Sequence, residues 1–376
     1  MTRRGPGEGS IYPRKDGRWA GSVHIGYEDG KRVRKHVMGR TRNEVKDKLA
    51  VVMRAHEEKR PIPDQRAKLG PFLRRWLDEV AKPTLRPSTY RSYDSILKIH
   101  LVPCLGHIAL ARLTPADVQA FLNGRSTKGL SPRRVQYIHA VLRRALGTAE
   151  RWGMVSRNVA KLVEVPRVLH REMTPLTPEQ ARALIEASVA DRHRALWITA
   201  LGTGLRQGEL LALRWEDVGL DAGVLRVRHS LANVGGVLTL QEPKTDRSRR
   251  TVVLPDSVVA ALRAHRTRQL MDRLAAGARW VDTGHVFTTM IGRPHHAATI
   301  TRAFADALNR AGLPRVRFHD LRHSAATFLL AQGMTLEDVK QLLGHSSITL
   351  TSNTYGHLLE QRQRQVAQAM DAVLGG

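Results

Sequence analysis

Residues 202–215 read GTGLRQGELLALRW and place a flexible glycine turn directly before a short apolar helix. Arg206 follows that turn and Glu209 lies three residues further on, so both side chains lie on one face of the predicted helix. A carboxylate at this spacing can orient the planar guanidinium of an arginine through a bidentate pair. A plain surface ion pair would have the same spacing, and this stretch alone leaves both interpretations open.

A second helix is predicted at residues 319–333, HDLRHSAATFLLAQG, with Gly333 as its stop signal. His319 and Arg322 are three residues apart and therefore share a helix face. A cation and a titratable imidazole beside a helix start suit an anionic phosphate. Taken alone, His-x-x-Arg is more often a surface pair than a binding site.

Two further stretches contain residues with reactive side chains. Lys244 lies in EPKTDRSRRTVVLP, where we predict a β-hairpin with the lysine near its tip, although most hairpin lysines only solvate an edge. Residues 342–360 read LLGHSSITLTSNTYGHLLE and contain His345 and Tyr355. Tyr355 is surrounded by Ser, Thr, Asn and Gly, so it either anchors a loop or offers its hydroxyl to a substrate.

Composition points to a polyanionic partner. The chain has 61 Lys+Arg against 34 Asp+Glu, a net charge of +27 and a pI near 11.2. Residues 1–170 hold 35 of these cations and 15 of the acidic residues, so the excess lies towards the front. Nucleic acid is the expected partner, because phosphates neutralise such a surface. An Arg-rich proteome is the alternative reading of the charge.

The same composition bears on the compartment. Cys104 is the one cysteine, so we expect neither a disulfide framework nor a cysteine-based zinc site. We find no apolar signal segment at the start and no stretch long enough to span a membrane, and we therefore expect a cytoplasmic protein.

Local patterns divide the chain. Residues 10–40 read as three strands with turns at Asp16-Gly17 and Asp29-Gly30, and a helix follows whose Thr41 and Glu44 form a capping box. Helices are predicted over 70–81, 88–101, 114–123 and 131–152. Residues 60–68 and 157–173 read as linkers.

In chain order, six residues resemble the catalytic set of the tyrosine recombinase family, the phage-type site-specific integrases: Arg206, Lys244, His319, Arg322, His345 and Tyr355. The motifs TGLRQGE, HDLRH, LLGH and TYGH and the lysine segment carry the resemblance. It implies a multidomain, mainly α protein with small β-sheets. Its expected domains are an arm-type DNA-binding domain over 1–60 with three strands and a helix, a helical core-binding domain over 69–157, and an α+β catalytic domain over 172–376.

The resemblance also implies a role for each residue. Tyr355 would attack a DNA phosphodiester and form a 3′-phosphotyrosyl bond. Arg206 and Arg322 would hold the non-bridging oxygens and His345 would donate a further hydrogen bond. His319 would act as acid or base, and Lys244 would protonate the leaving 5′-oxygen.

We expect no cofactor. The cations would replace a metal ion, there is no cluster of carboxylates for a two-metal site, and no GxxxxGK loop for ATP is present. Glu209 and Asp320 are predicted to support the site, and the pair His295-His296 is interpreted as loop surface rather than a metal ligand.

The resemblance therefore implies an enzyme that integrates, and in reverse excises, a phage or mobile element. Its partners would be double-stranded DNA at core and arm-type sites, three further copies of the chain in a tetramer, and accessory DNA-bending proteins. A Xer-like resolution recombinase, a type IB topoisomerase-like enzyme and a DNA-binding protein without catalysis stay open as alternatives.

Overall fold

A computed structural model describes residues 9–28, 31–57, 66–168, 175–242 and 249–344, together with residues 370, 371 and 374. The chain divides into two compact units, Met1–His170 and Arg171–Gly376.

The first unit begins with a three-stranded antiparallel sheet of strand order β1-β2-β3. The strands are β1 (Ser10–Pro13), β2 (Trp19–Glu28) and β3 (Lys31–Gly39), followed by helix α1 (Arg42–Glu57). A small core of valines and Leu49 lies between the sheet and α1. The predicted three strands and helix are confirmed.

The start of α1 differs in one detail from the predicted capping box. The Thr41 Oγ1 accepts a hydrogen bond from the Glu44 N–H at 3.2 Å, as expected. The Glu44 carboxylate, however, accepts from the N–H of Arg40 at 2.7 Å, one residue before the predicted donor. The carboxylate therefore binds the residue that follows β3, and the Thr41 hydroxyl caps the start of the helix.

A second, separate apolar cluster follows in the same unit and consists of helices. Its elements are α2 (Leu69–Arg75), which continues as a π-helix (Trp76–Ala81), α3 (Pro87–Ile96), which continues as a π-helix (Leu97–Leu101) into α4 (Val102–Leu105), α5 (Pro115–Thr127) and α6 (Pro132–Arg151). The predicted helices are present, and α5 extends four residues beyond its predicted end. Four apolar residues that recur at helical spacing on one face of α6 are buried: Val135, Ile138, Leu142 and Leu146.

The predicted linker over 157–173 is wrong in its first part. Val159–Leu162 form a 3-10 turn in which Val159 and Ala160 are buried against the helical cluster. Asn158 anchors the turn, because its Nδ2 donates to the carbonyl of Arg143 at 2.8 Å and its side chain accepts from the Ala160 N–H. The division into three domains stays a prediction.

The second unit is helical with two small sheets. Its helices are α7 (Pro178–Ala187), α8 (Arg194–Thr203), α9 (Gln207–Ala212), α10 (Asp256–Ala276), α11 (Ala297–Arg310), α12 (Asp320–Ala331) and α13 (Leu336–Leu343). Its strands are β4 (Val218–Gly219), β5 (Val224–Val227), β6 (Ser230–Val234), β7 (Val237–Gln241) and β8 (Arg250–Val253). The core is centred on the packed rings of Trp197, Phe304 and Phe318.

The strand pairing corrects the predicted hairpin around Lys244. In the described residues β7 pairs with β6, whereas β8 pairs with β5 in a sheet of order β4-β5-β8. The two strands that flank residues 243–248 therefore belong to different sheets. Lys244 itself lies outside the described residues. Among the helices that are described, none is both long and apolar enough to cross a bilayer.

Candidate active site

Arg206 lies at the turn between α8 and α9. The turn closes at Gly204, whose φ of 60° is in the left-handed region that favours glycine. A Cβ atom at Gly204 would lie 2.6 Å from the Leu343 Cδ2, so a glycine also lets α13 approach. The Arg206 side chain is 39% exposed, and its Nη1 donates to the Glu209 Oε1 at 2.7 Å.

Glu209 is almost fully buried and binds two arginines. Its second oxygen, Oε2, accepts from the backbone N–H of Arg206 at 3.1 Å and from the Nη2 of Arg250 at 3.2 Å. Burial opposes ionisation of this carboxyl, but the charges of Arg250 and Arg206 outweigh it and hold its pKa below the ordinary value. The predicted support of Arg206 by Glu209 is observed, through one guanidinium nitrogen rather than two.

Arg322 projects from α12 and is 3% exposed. Its Nη1 donates to the carbonyl of Gly204 at 2.7 Å, and its Nη2 donates to the carbonyl of Leu343 at 2.6 Å. The Nη2 of Arg206 meets the next carbonyl, that of Gly344, at 3.4 Å. Two of the predicted site residues, distant in sequence, thus meet at the C-terminal end of α13.

His319 directly precedes α12 and its ring lies 5.1 Å from that of His323. The pKa of His319 lies below its ordinary value, first because surrounding protein desolvates the ring and second because the Arg322 charge disfavours protonation. Both effects favour the neutral form of the His319 ring. Asp320 is predicted as a supporting carboxylate. Its oxygens accept from Arg317, from the backbone N–H at 2.7 Å and from the Nη2 at 2.9 Å.

Lys244, His345 and Tyr355 lie outside the described residues, so their part in the site stays a prediction. Most of the tail, residues 358–376, also lies outside the described residues.

Sequence reasoning missed Arg250, at the start of β8. Its side chain is 9% exposed, and its Nε donates to the carbonyl of Leu342 at 2.8 Å. The sequence shows two consecutive arginines, Arg249 and Arg250, but the residues around them do not indicate which one is buried. Arg249 is 56% exposed and pairs with Glu242 at 2.8 Å.

The interpretation of His295 as loop surface is wrong. His295 is 6% exposed, and its ring lies 5.3 Å from that of His193. Burial lowers its pKa to about 4, and the nearby His193 and Arg192 act in the same direction. In the described ranges no three histidine, cysteine or acidic side chains come together as metal ligands would.

Comparison with protein families finds two matches along the chain. The model described as the phage integrase family matches residues 175–362, and the one described as the N-terminal SAM-like domain of phage integrases matches residues 68–125. The first match lies within the second unit and includes Arg206 and Arg322.

Individual relatives match over nearly their whole length. An integrase of Streptomyces ambofaciens is 32% identical over 99% of this chain and 97% of the relative. A XerC-like tyrosine recombinase of Caldanaerobacter subterraneus is 30% identical over 92% of this chain and 93% of its own length.

Solved structures share the fold. The Tn1549 transposon integrase, in complex with a circular intermediate DNA, superposes with a TM-score of 0.68 at 22% identity, over 80% of this chain and 99% of that chain. A lambda integrase tetramer bound to a Holliday junction superposes with a TM-score of 0.59 at 21% identity, over 94% of this chain and 96% of that chain.

Proposed function

The chain belongs to the phage integrase family of tyrosine recombinases and is a site-specific DNA integrase, and we propose that Tyr355 is its nucleophile. The observation that carries the proposal is the convergence of Arg206 and Arg322 on the last turn of α13. His345 directly follows Gly344 in the sequence, and Tyr355 lies ten residues later. The carbonyl groups at which the two arginines meet are therefore only about ten residues in sequence from the proposed tyrosine.

The proposed reaction balances without a cofactor. The Tyr355 oxygen attacks phosphorus and forms the phosphotyrosyl bond, while the bond from phosphorus to the 5′-oxygen breaks. A tyrosine of pKa about 10 is a weak nucleophile at neutral pH, so its proton must be removed. His319, whose surroundings favour the neutral ring, takes that proton, and Lys244 gives one to the leaving 5′-oxygen.

Arg206 and Arg322 stabilise the charge that develops on the non-bridging oxygens, and His345 donates a hydrogen bond to the same group. The covalent bond retains the phosphodiester energy, so rejoining needs no ATP. The arginines supply the positive charge that a metal ion would otherwise provide.

The proposed assembly is a tetramer on two DNA duplexes. The lambda integrase neighbour, a tetramer on a Holliday junction, supports this arrangement. In the tail, apolar residues recur at positions 358, 359, 366, 369, 370 and 373, which fits a helix that packs on a neighbouring copy. The second unit has a groove of about 760 Å³ between α7, α8, α10 and α12, and its lining is mainly Ala, Ile, Leu and Phe side chains. In the proposal, the tail helix of a neighbouring copy binds in this groove.

Deleting the residues after 362 tests this role of the tail. We expect the joining of two DNA sites in one complex to weaken more than binding to a single site, both measured by gel shift. Equal losses in both would contradict it.

The amino-terminal sheet and α1 favour a phage or mobile-element integrase over a Xer-like resolution enzyme, because a basic β-ribbon can read arm-type sites in a DNA groove. The same proposal includes accessory DNA-bending proteins as partners. It also places the action of the protein in the cytoplasm. A type IB topoisomerase-like enzyme would act as a monomer, so the stoichiometry on DNA separates the two.

A covalent-trapping experiment tests the nucleophile. The protein is incubated with nicked, labelled fragments of the DNA that flanks its own gene, and the mixture is denatured with SDS. We expect a protein–DNA adduct with the wild type and none with Tyr355→Phe. An adduct with both proteins would move the nucleophile elsewhere, and specific binding without any adduct would favour the DNA-binding protein without catalysis.

A further inference from the structure

Three arginines from three separate elements bind three successive carbonyl groups at the end of α13. Arg250 of β8 binds the Leu342 carbonyl, Arg322 of α12 binds the Leu343 carbonyl, and Arg206 lies 3.4 Å from the Gly344 carbonyl. The last carbonyls of a helix have no partner within the helix and form the negative end of its dipole. The end of α13 is therefore an acceptor site that the arginines share.

Arg250 differs from the other two in what else it binds. Its Nη2 donates to Glu209, the carboxylate that orients Arg206. The Glu209 and Arg250 side chains are 4% and 9% exposed, whereas the Arg206 side chain is 39% exposed. Arg250 thus joins the support of Arg206 to the backbone of α13, from inside the protein.

The last residue of this turn is adapted to Arg250. Gly344 ends α13 with φ of 64°, a conformation that other residues adopt only with strain. A Cβ atom there would lie 2.9 Å from the Arg250 Nη1 and 3.2 Å from its Cζ. The guanidinium therefore fills the space beside the glycine.

We infer that Arg250 is a positioning residue, which holds Glu209 and the last turn of α13 at a fixed separation and so aims Arg206 at the scissile phosphate. This inference rests on the proposed function. Burial and the two bonds from Nε and Nη2 keep Arg250 off the DNA, so it acts through Arg206. Without it, Glu209 loses one of its two cationic partners and the Leu342 carbonyl loses a donor, and Arg206 is no longer held in a single orientation.

The test measures cleavage and binding separately. The wild type, Arg250→Met and Arg250→Lys are compared at saturating DNA in the covalent-trapping assay, on the fragment that gives the wild-type adduct. Arg249→Met is the matched control, because it removes the same charge one residue away at an exposed position.

We expect Arg250→Met to cleave at least tenfold more slowly with an unchanged DNA Kd, and Arg249→Met to cleave at the wild-type rate. Arg250→Lys recovers part of the rate, since an ammonium keeps the charge but cannot reach both partners in the planar geometry of arginine. If Arg250→Met does not fold, as judged by thermal unfolding, the cleavage rate and DNA Kd of Arg250→Lys are compared with those of the wild type instead.

A double-mutant cycle separates positioning from simple loss of stability. In an Arg206→Lys background, Arg250→Met should slow cleavage less than threefold further, because the residue through which it acts is already altered. Losses that multiply would overturn the inference, as would a wild-type cleavage rate for Arg250→Met. If the wild type forms no adduct, the proposed function itself fails and the inference fails with it.

Discussion

Glu209→Gln tests the electrostatic centre of the site. The carboxylate accepts from the Arg206 Nη1, the Arg206 backbone N–H and the Arg250 Nη2, at 2.7, 3.1 and 3.2 Å. Losing its charge leaves Arg250 buried beside another cation. Breaking a buried ion pair costs about 3–5 kcal/mol, but glutamine keeps one acceptor oxygen, so we assign about 2 kcal/mol to the bond with Arg250. The bond with the more exposed Arg206 adds about 1 kcal/mol because solvent screens it.

The expected loss of about 3 kcal/mol of local stability makes the opening of α9 about 100-fold more favourable. Hydrogen exchange of the α9 amides in the full chain measures it without assuming that both compact units unfold together. Glu216→Gln is the control, since Glu216 is 65% exposed and lies 3.5 Å from Arg214, and its exchange should match the wild type.

The pH dependence gives a second check. The folded pKa of Glu209 lies below its unfolded value, so its stabilisation is present above pH about 4.3 and disappears as the pH falls through the folded pKa. The difference between wild type and Glu209→Gln should therefore shrink in acid. An exchange rate less than fivefold faster at neutral pH would refute the assigned role of the carboxylate.

Two further predictions concern other buried groups of the second unit. Burial lowers the pKa of His265 to about 4, so stability should fall by about 2 kcal/mol for this ring as the pH drops from 7 to 5, where the unfolded ring is protonated and the folded ring is not. His265→Gln should flatten the slope of thermal stability against pH, and an unchanged slope would count against the assignment. Gly344→Ala should destabilise by about 1–3 kcal/mol, because the left-handed φ is strained for alanine and its Cβ meets Arg250. Chemical denaturation measures that loss, and a neutral result would mean that the turn can rearrange.

Much of the local structure followed from the sequence because its causes are local. The Thr177–Gln180 capping box needs only two residues three positions apart, and the Thr177 Oγ1 accepts from the Gln180 N–H at 3.2 Å. The α12 stop at Gly333 also follows, since its φ of 93° favours glycine. The linker after residue 157 was misjudged because Asn158, a residue typical of loops, instead holds a turn against α6.

Some features of the candidate site could likewise be predicted from the sequence and others could not. The resemblance to the recombinase motifs brings Arg206, Arg322 and His319 forward as candidates, and their catalytic roles stay a prediction. The burial of His295 could not be predicted, because the adjacent His296 is exposed and has the same chemistry. Nor could the strand pairing around Lys244 be predicted, since alternating residues indicate a strand but not its partner.

The sequence by itself carried the short motifs of the family resemblance. It also determined the helices with their caps, because helical periodicity and capping depend on residues only a few positions apart. Only the tertiary structure decided which of two consecutive arginines, Arg249 or Arg250, is buried beside Glu209. It also decided that α13 ends where three arginines meet. The reason is physical: a buried charge needs a partner, and in this protein the partners come from segments far apart in the chain.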